Sequence, residues 1–186
     1  MTIEGPATYW DLLWAGGTRY RPLDENELAA LKQHAGPGAG RTALDVGSGD
    51  GALARHVAQL GYATTGIDCS TAAISLATEN STAVGVTFRE ADIEGPEPLP
   101  VTEGSVHLVT ARLVYAFIAD KPAFLGRMRR LLVPDGLLWV ATPMADRLPD
   151  RAWVGISADD EDLLTVGWSA VDITDIDYMR CYALRP

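Results

Sequence analysis

The stretch Thr42-Ala-Leu-Asp-Val-Gly-Ser-Gly-Asp-Gly51 decides how the rest of this 186-residue chain is read. Ala43, Leu44 and Val46 form a short apolar run interrupted by one carboxylate, Asp45, and read as a buried strand. Gly47, Gly49 and Gly51 then make a tight, side-chain-poor turn at the strand's C-terminal end, and a helix begins near Ala52. Bare backbone lets a ligand come close, and a helix start presents unpaired N–H groups. In an open α/β sheet, ligands bind in the crevice beyond the strand ends.

Two ligands compete for such a turn. Gly47-x-Gly49-x-x-Ala52 fits a dinucleotide fingerprint, a weak signal alone. Asp45 discriminates, because a pyrophosphate gains nothing from a neighbouring carboxylate, whereas a cationic amino group does. Asp45-x-Gly47-x-Gly49-x-Gly51 resembles the first motif of class I S-adenosylmethionine-dependent methyltransferases, small-molecule type. The resemblance implies an α/β, Rossmann-like, doubly wound fold: a mostly parallel seven-stranded sheet with an antiparallel C-terminal strand. It also implies S-adenosyl-L-methionine as cofactor, its methionine part packed on Gly47, Ser48 and Gly49 beside Asp45.

Composition agrees. The length suits one domain, here expected over 1–186, with 1–40 as an N-terminal lid and helical segment and 41–186 as the cofactor-binding core. A net charge of −10 disfavours a nucleic-acid partner, which needs a basic footprint, and makes a small-molecule substrate the default. Cys69 and Cys181 form no framework, and His34, His56 and His107 are scattered, so no metal site is expected. Met1–Pro6 has no basic start or apolar run, and no stretch approaches membrane-spanning length; a cytoplasmic protein is expected.

Upstream of the turn, Trp10, Leu13 and Trp14 fall on one helical face, and Gly16-Gly17 breaks that helix. In the methyltransferases this resembles, such an arm closes over the cofactor. Arg19 or Arg21 would then meet the cofactor's carboxylate, and Trp14 and Tyr20 would wall the pocket, Trp14 on the cofactor side. Asp24 and Glu27 read as the capping box of a second helix with Leu28 and Leu31 on its apolar face, ended by Gly36.

Downstream, Leu53, Val57 and Leu60 make a helix stopped by Gly61, and the strand Ala63–Asp68 ends in a carboxylate suited to a ribose's two hydroxyls. Ser70 caps the next helix. After the strand Val86–Glu90, Asp92 and Ile93 match the family's acid for the adenine amine and its apolar neighbour, with the backbone near Cys69 also at the cofactor. Glu94–Pro100 is a proline-rich surface connection to the strand Val106–Thr110, which carries His107 where the family often has an aspartate.

Ala111–Tyr115 lies where the methyl should meet its acceptor. Arg112 is a candidate for a substrate carboxylate or the cofactor end of the pocket, and Tyr115 for polarising a nucleophile. Neither a base-methylating Asn/Asp-Pro-Pro-Tyr element nor a metal-binding carboxylate pair is present, so a metal-independent transfer is expected. Asp120 and Pro122 open a helix with Phe124, Met128 and Leu131 inside and Arg127, Arg129 and Arg130 on a solvated face. Leu132–Gly136 is a stop and turn before the buried strand Leu137–Ala141, and resembles the family's turn at that place. A short loop from Thr142 to Ile156 carries Trp153, so the pocket roof comes from it, from the arm, or from a second copy, which leaves a homodimer open. Ser157 and Asp160 cap a last helix, and Ala170–Thr174 with Met179–Leu184 read as a terminal antiparallel pair with one face buried.

The expected function is methyl transfer to a small molecule by in-line displacement. Its alternatives are a non-catalytic or partner-dependent cofactor-binding module and an aminopropyl-type transferase on the same fold.

Overall fold

The computed structural model of the chain describes residues 5–82 and 84–186. The reading of Met1–Pro6 therefore falls largely outside the described residues. At the centre is β1 (Thr42–Val46), paired in parallel with β2 (Ala63–Asp68) on one side and β4 (Val106–Arg112) on the other. β3 (Val86–Glu90) extends the sheet beyond β2, and β5 (Leu132–Pro143) beyond β4, both parallel. β7 (Met179–Arg185) runs antiparallel between β5 and β6 (Ala170–Ile176), giving the order β3-β2-β1-β4-β5-β7-β6.

The central strands are apolar on both faces because both are covered. Leu44, Val46, Val109, Ala111, Leu138 and Val140 pack with Phe124, Leu125 and Met128 of α5 (Lys121–Leu131) and Leu164 of α6 (Ala158–Thr165). The alternate residues Ala43, Leu108, Trp139 and Ala141 pack with Leu31 of α2 (Glu25–Ala35) and Leu53 and Val57 of α3 (Ala52–Gln59). Alternation along each strand thus feeds two cores. α4 (Thr71–Glu79), capped by Ser70, lies against the β2–β3 edge, and α1 (Pro6–Ala15) rests on α4 without a buried residue of its own. The strand order reverses between β1 and β4, which fixes the binding crevice at their carboxyl ends.

Three local expectations change. Val133–Gly136 is an excursion within β5: Leu132 pairs with Val106 before the register shifts and resumes at Leu108 and Leu137. Pro134 has no N–H to give the ladder there. Of the α5 arginines, Arg130 lies on the expected solvated face, paired with Glu103 at the surface, but Arg127 and Arg129 do not. Arg127 donates to the carbonyls of Ile93, Gly95 and Glu97 at 2.6, 3.0 and 3.1 Å, and Arg129 to Val166 at 2.7 Å over the Trp168 ring. The proline-rich connection has carbonyls without ladder partners, and a five-donor guanidinium satisfies them. β6 does not bury one face, for it is the edge strand: Val171 and Ile173 are 37% and 47% exposed. Among the described residues no helix is long and apolar enough to cross a membrane.

Candidate active site

The glycine turn is shaped by what presses on it. A Cβ on Gly47 (φ +63°) would run into Val114 Cγ2, and one on Gly49 (φ +52°) would lie 2.7 Å from Trp14 Cζ2. Val114 is held there by the end of β4, where Leu113 takes a left-handed φ of +61° and donates its N–H to Ala141 O at 2.8 Å. A leucine in that region is strained, and such strain concentrates at functional sites.

Around this turn opens a cavity of about 530 Å³. Asp45 is 2% exposed; Thr110 Oγ1 donates to its Oδ1 at 2.6 Å, while Oδ2 has no partner. Burial, against the Thr110 bond and with help from nearby Asp68, raises its carboxyl from the usual 3.8 to about 7. Ser48 donates its N–H to Ile67 O at 2.8 Å and has a buried, unpartnered Oγ. Two unpaired buried polar atoms, on residues that line the cavity, cost free energy unless a partner reaches them.

Asp68 joins the turn to the next strand: its Oδ2 accepts from Gly49 N and its Oδ1 from Ser70 N, both at 2.9 Å. Each oxygen keeps a second lone pair for a ligand. Burial raises its carboxyl above the usual range against these bonds. Cys69 lines the same wall with its thiol pushed up to about 12, chiefly by burial, so it is a small protonated wall and not a nucleophile. Asp92 and Ile93 also line the cavity; Asp92 Oδ1 accepts from Glu94 N at 2.9 Å. The structure thus gathers Asp45, Gly47, Ser48, Gly49, Asp68, Cys69, Asp92 and Ile93 on one lining, with Trp14 and Tyr20 across from them.

The N-terminal arm is tied down differently from the expectation. Glu27 does not close a capping box; Asp24 alone caps α2, accepting from Asn26 N at 2.8 Å. Glu27 is 3% exposed and binds two arginines, Arg112 Nε at 2.7 Å and Arg21 Nε at 3.1 Å. Two guanidiniums outcompete a backbone N–H for a buried carboxylate. Arg112 also donates to the carbonyls of Arg21 and Pro22 at 3.0 and 2.9 Å. Arg21 donates to Asp177 Oδ2 at 3.3 Å and lies 4.8 Å over the Tyr178 ring. Both arginines line the cavity, and the hydrogen bonds they make within the chain, to Glu27, to the carbonyls of Arg21 and Pro22 and to Asp177, anchor the arm. At the other end of the arm, Asp11 accepts from Ala72 N at 2.8 Å and Ser70 Oγ at 3.0 Å, at the N-terminus of α4.

Beyond the glycine turn the lining is aromatic. Trp10 meets Phe117 edge-on at 4.9 Å and Tyr20 at 6.0 Å, and Phe117 meets Trp153 at 6.3 Å. The Tyr20 hydroxyl is buried without a partner, and burial, Tyr9 and Asp68 push it up to about 12, so it stays a donor. Tyr115 does not belong to this lining. Its ring is fully buried against Phe124 and its hydroxyl donates to Asp160 O at 3.4 Å, because the 3-10 turn Tyr115–Phe117 aims Phe117 at the cavity and Tyr115 at the core. None of His34, His56 and His107 lines the cavity, and among the described residues no group of three or more His, Cys, Asp or Glu is placed to hold a metal ion.

Reading the sequence assigned no site role to Glu27, Phe117 or Tyr178, while Asp11 stood in the Trp10-Asp11 element of the arm. Glu27 was hidden by a local rule that accounted for it, and Phe117 by lying next to a more eye-catching tyrosine. For Tyr178 no signal existed, since its partners lie far away in the chain.

Residues 44–140 match the family described as "Methyltransferase domain". The chain is 33% identical over 106 residues to the ubiquinone biosynthesis O-methyltransferase of Caulobacter vibrioides, covering 57% of this chain and 42% of that one. It is 30% identical over 143 residues to the enzyme of the same name from Pseudomonas paraeruginosa, covering 75% and 60%. This chain thus spans about half the length of the curated relatives it matches. Its fold is similar to that of an S-adenosylmethionine dependent methyltransferase from Mesorhizobium loti, with a TM-score of 0.70 at 16% identity over 89% of this chain and 100% of that one. With an acid-flanked glycine turn at the point where the sheet reverses and a domain match across more than half its length, the chain belongs to the class I S-adenosylmethionine-dependent methyltransferase family.

Proposed function

We propose that the protein transfers a methyl group from S-adenosyl-L-methionine to a hydroxyl on a small, planar, aromatic acceptor. The observation that carries this is the continuity of one cavity, polar and acid-lined at the glycine turn and aromatic at its other end. The bound cofactor supplies a methyl group already activated by a positively charged sulfur. The chain's residues do the rest. Asp45 Oδ2 and Ser48 Oγ, both unpaired, suit the cofactor's ammonium and carboxylate end. Asp68 has lone pairs for ribose hydroxyls, and Asp92 and Ile93 suit the adenine edge and face.

Trp10, Phe117 and Trp153 offer edges and faces on which a flat ring packs favourably. An arm anchored at both ends excludes water and holds the acceptor near the line of attack. Tyr20, a donor at neutral pH, orients the acceptor oxygen and does not act as its base. The name shared by the relatives supports oxygen as the acceptor atom. A single folded domain with these parts, working on a soluble small molecule, is the organisation this reading requires.

The test has two stages. Calorimetric titration with S-adenosylhomocysteine and with NAD identifies the ligand; binding of NAD alone rejects the reading. Incubation with S-adenosylmethionine and a panel of phenols and catechols should then yield S-adenosylhomocysteine and a product heavier by one CH₂. Tight cofactor binding without turnover across that panel would favour the non-catalytic module instead.

A further inference from the structure

We infer that the Asp177–Tyr178 turn between β6 and β7, remote in sequence from the glycine motif, couples closure of the N-terminal arm to closure of the 144–154 cover, with Asp177 as a positioning residue. The inference rests on the proposed cofactor site. Its ground is that both flaps are tied to these two residues. From the arm, Arg21 reaches Asp177 Oδ2 at 3.3 Å and stacks over Tyr178. From the cover, Met144 N donates to Tyr178 O at 3.1 Å and Arg147 Nη1 to Asp177 O at 3.3 Å, the same Nη1 lying 2.9 Å from Asp175 Oδ1.

The turn is well suited to transmit a displacement. Ile176 pairs directly with Met179, so the two intervening residues form a tight hairpin in which Asp177 holds a left-handed φ of +55°. On its inner side Arg21 is fixed by buried Glu27, which in turn holds Arg112 at the end of β4. A contiguous polar chain therefore runs from the strand end beside the glycine turn, through the arm, to the cover that carries Trp153. The cover gains order when the arm is seated on a cofactor, so the acceptor half of the cavity is completed after the cofactor half is filled.

The chain's outer link is separable from the fold. The Asp177 side chain is 69% exposed, and an exposed ion pair contributes little to stability. Asparagine tolerates a left-handed φ, so Asp177→Asn keeps the turn, and Asp177→Asn/Tyr178→Leu removes the turn's own two side-chain contacts with Arg21, leaving Glu27 on Arg21 and the two backbone bonds to the cover.

Hydrogen exchange measured by mass spectrometry, with and without saturating S-adenosylhomocysteine, tests this. In the wild type the ligand should slow exchange in both 18–23 and 144–154, the cover by about five-fold or more, the lower end of ordinary coupling between sites. In the double variant the arm's slowing should persist and the cover's should vanish; Asp177→Asn alone should move the same way by less, and serves if the double variant does not fold. Slowing of the cover that survives in the folded variant overturns the coupling, because the cover then responds to the ligand directly. A wild-type cover unaffected by bound ligand overturns it too. Absence of any binding heat defeats the cofactor reading itself, an outcome distinct from either.

Discussion

Asp45 carries the sharpest single-residue prediction. A carboxyl whose folded value lies near 7 and whose usual value is 3.8 takes up a proton on folding, so it makes the ligand-free protein less stable as pH rises from 3.8 through about 7. Binding runs the other way, since an ammonium group needs the ionised form. Affinity for S-adenosylhomocysteine should rise by about ten-fold per pH unit below 7 and level off above it. Asp45→Asn should flatten that profile in a calorimetric titration series; an unchanged slope removes Asp45 from the site. Gly47→Ala sets a methyl group into Val114 at a left-handed φ and should cost about 1–3 kcal/mol of stability along with ligand binding, read by denaturant unfolding. Tyr115→Phe loses only a 3.4 Å bond in the core, and turnover should stay within about two-fold, since a weak hydrogen bond contributes about 1 kcal/mol at most to stability and nothing to the cavity.

At the scale of elements, the arm, α2 and the end of β4 meet at one buried carboxylate, Glu27, while α1 buries no residue of its own. Arg112→Lys keeps the charge but loses the planar fork that serves Glu27 and two carbonyls at once. It should weaken S-adenosylhomocysteine binding by about ten-fold, equivalent to about 1.4 kcal/mol, with little change in far-ultraviolet circular dichroism. Binding at wild-type strength would separate the arm from the cofactor end. The same elements show why local rules mislead. Asp24 and Glu27 have the spacing of a capping box, and only the cap forms, because the chain brings Arg21 and Arg112 within reach of the second acid. At Ser157 and Asp160 the box forms as read, because Lys121 takes only Oδ1 of Asp160 and leaves Oδ2 to the Ser157 N–H.

At the scale of the molecule, the doubly wound sheet places the ends of β1, β2 and β4 around one crevice, so a ligand there bears on much of the fold at once. Saturation at one hundred times Kd should therefore stabilise the native state by about 2.7 kcal/mol, raising the melting temperature by roughly 5–10 °C for a domain of this size. A thermal shift assay with S-adenosylhomocysteine checks it, NAD serving as the comparison. The sheet was legible because its signals are local and periodic: strand then helix alternate from Thr42 to Glu90, marked by the glycine turn before α3 and the Ser70 cap of α4, and the alternating tail pairs as β6 and β7. The exposed face of β6 was not legible, since alternation shows which residues share a face but not whether anything covers it.

From residue types and spacing alone came the order of elements, the acid-flanked turn, and the acids ending the strands, because strand periodicity and glycine's freedom act within a few residues of chain. Only the tertiary structure decided that Arg21 and Arg112 hold an arm, that Phe117 and not Tyr115 faces the cavity, and that Arg127 clamps a loop. Long side chains choose among partners that the fold brings together from distant parts of the sequence, and no short stretch records that choice.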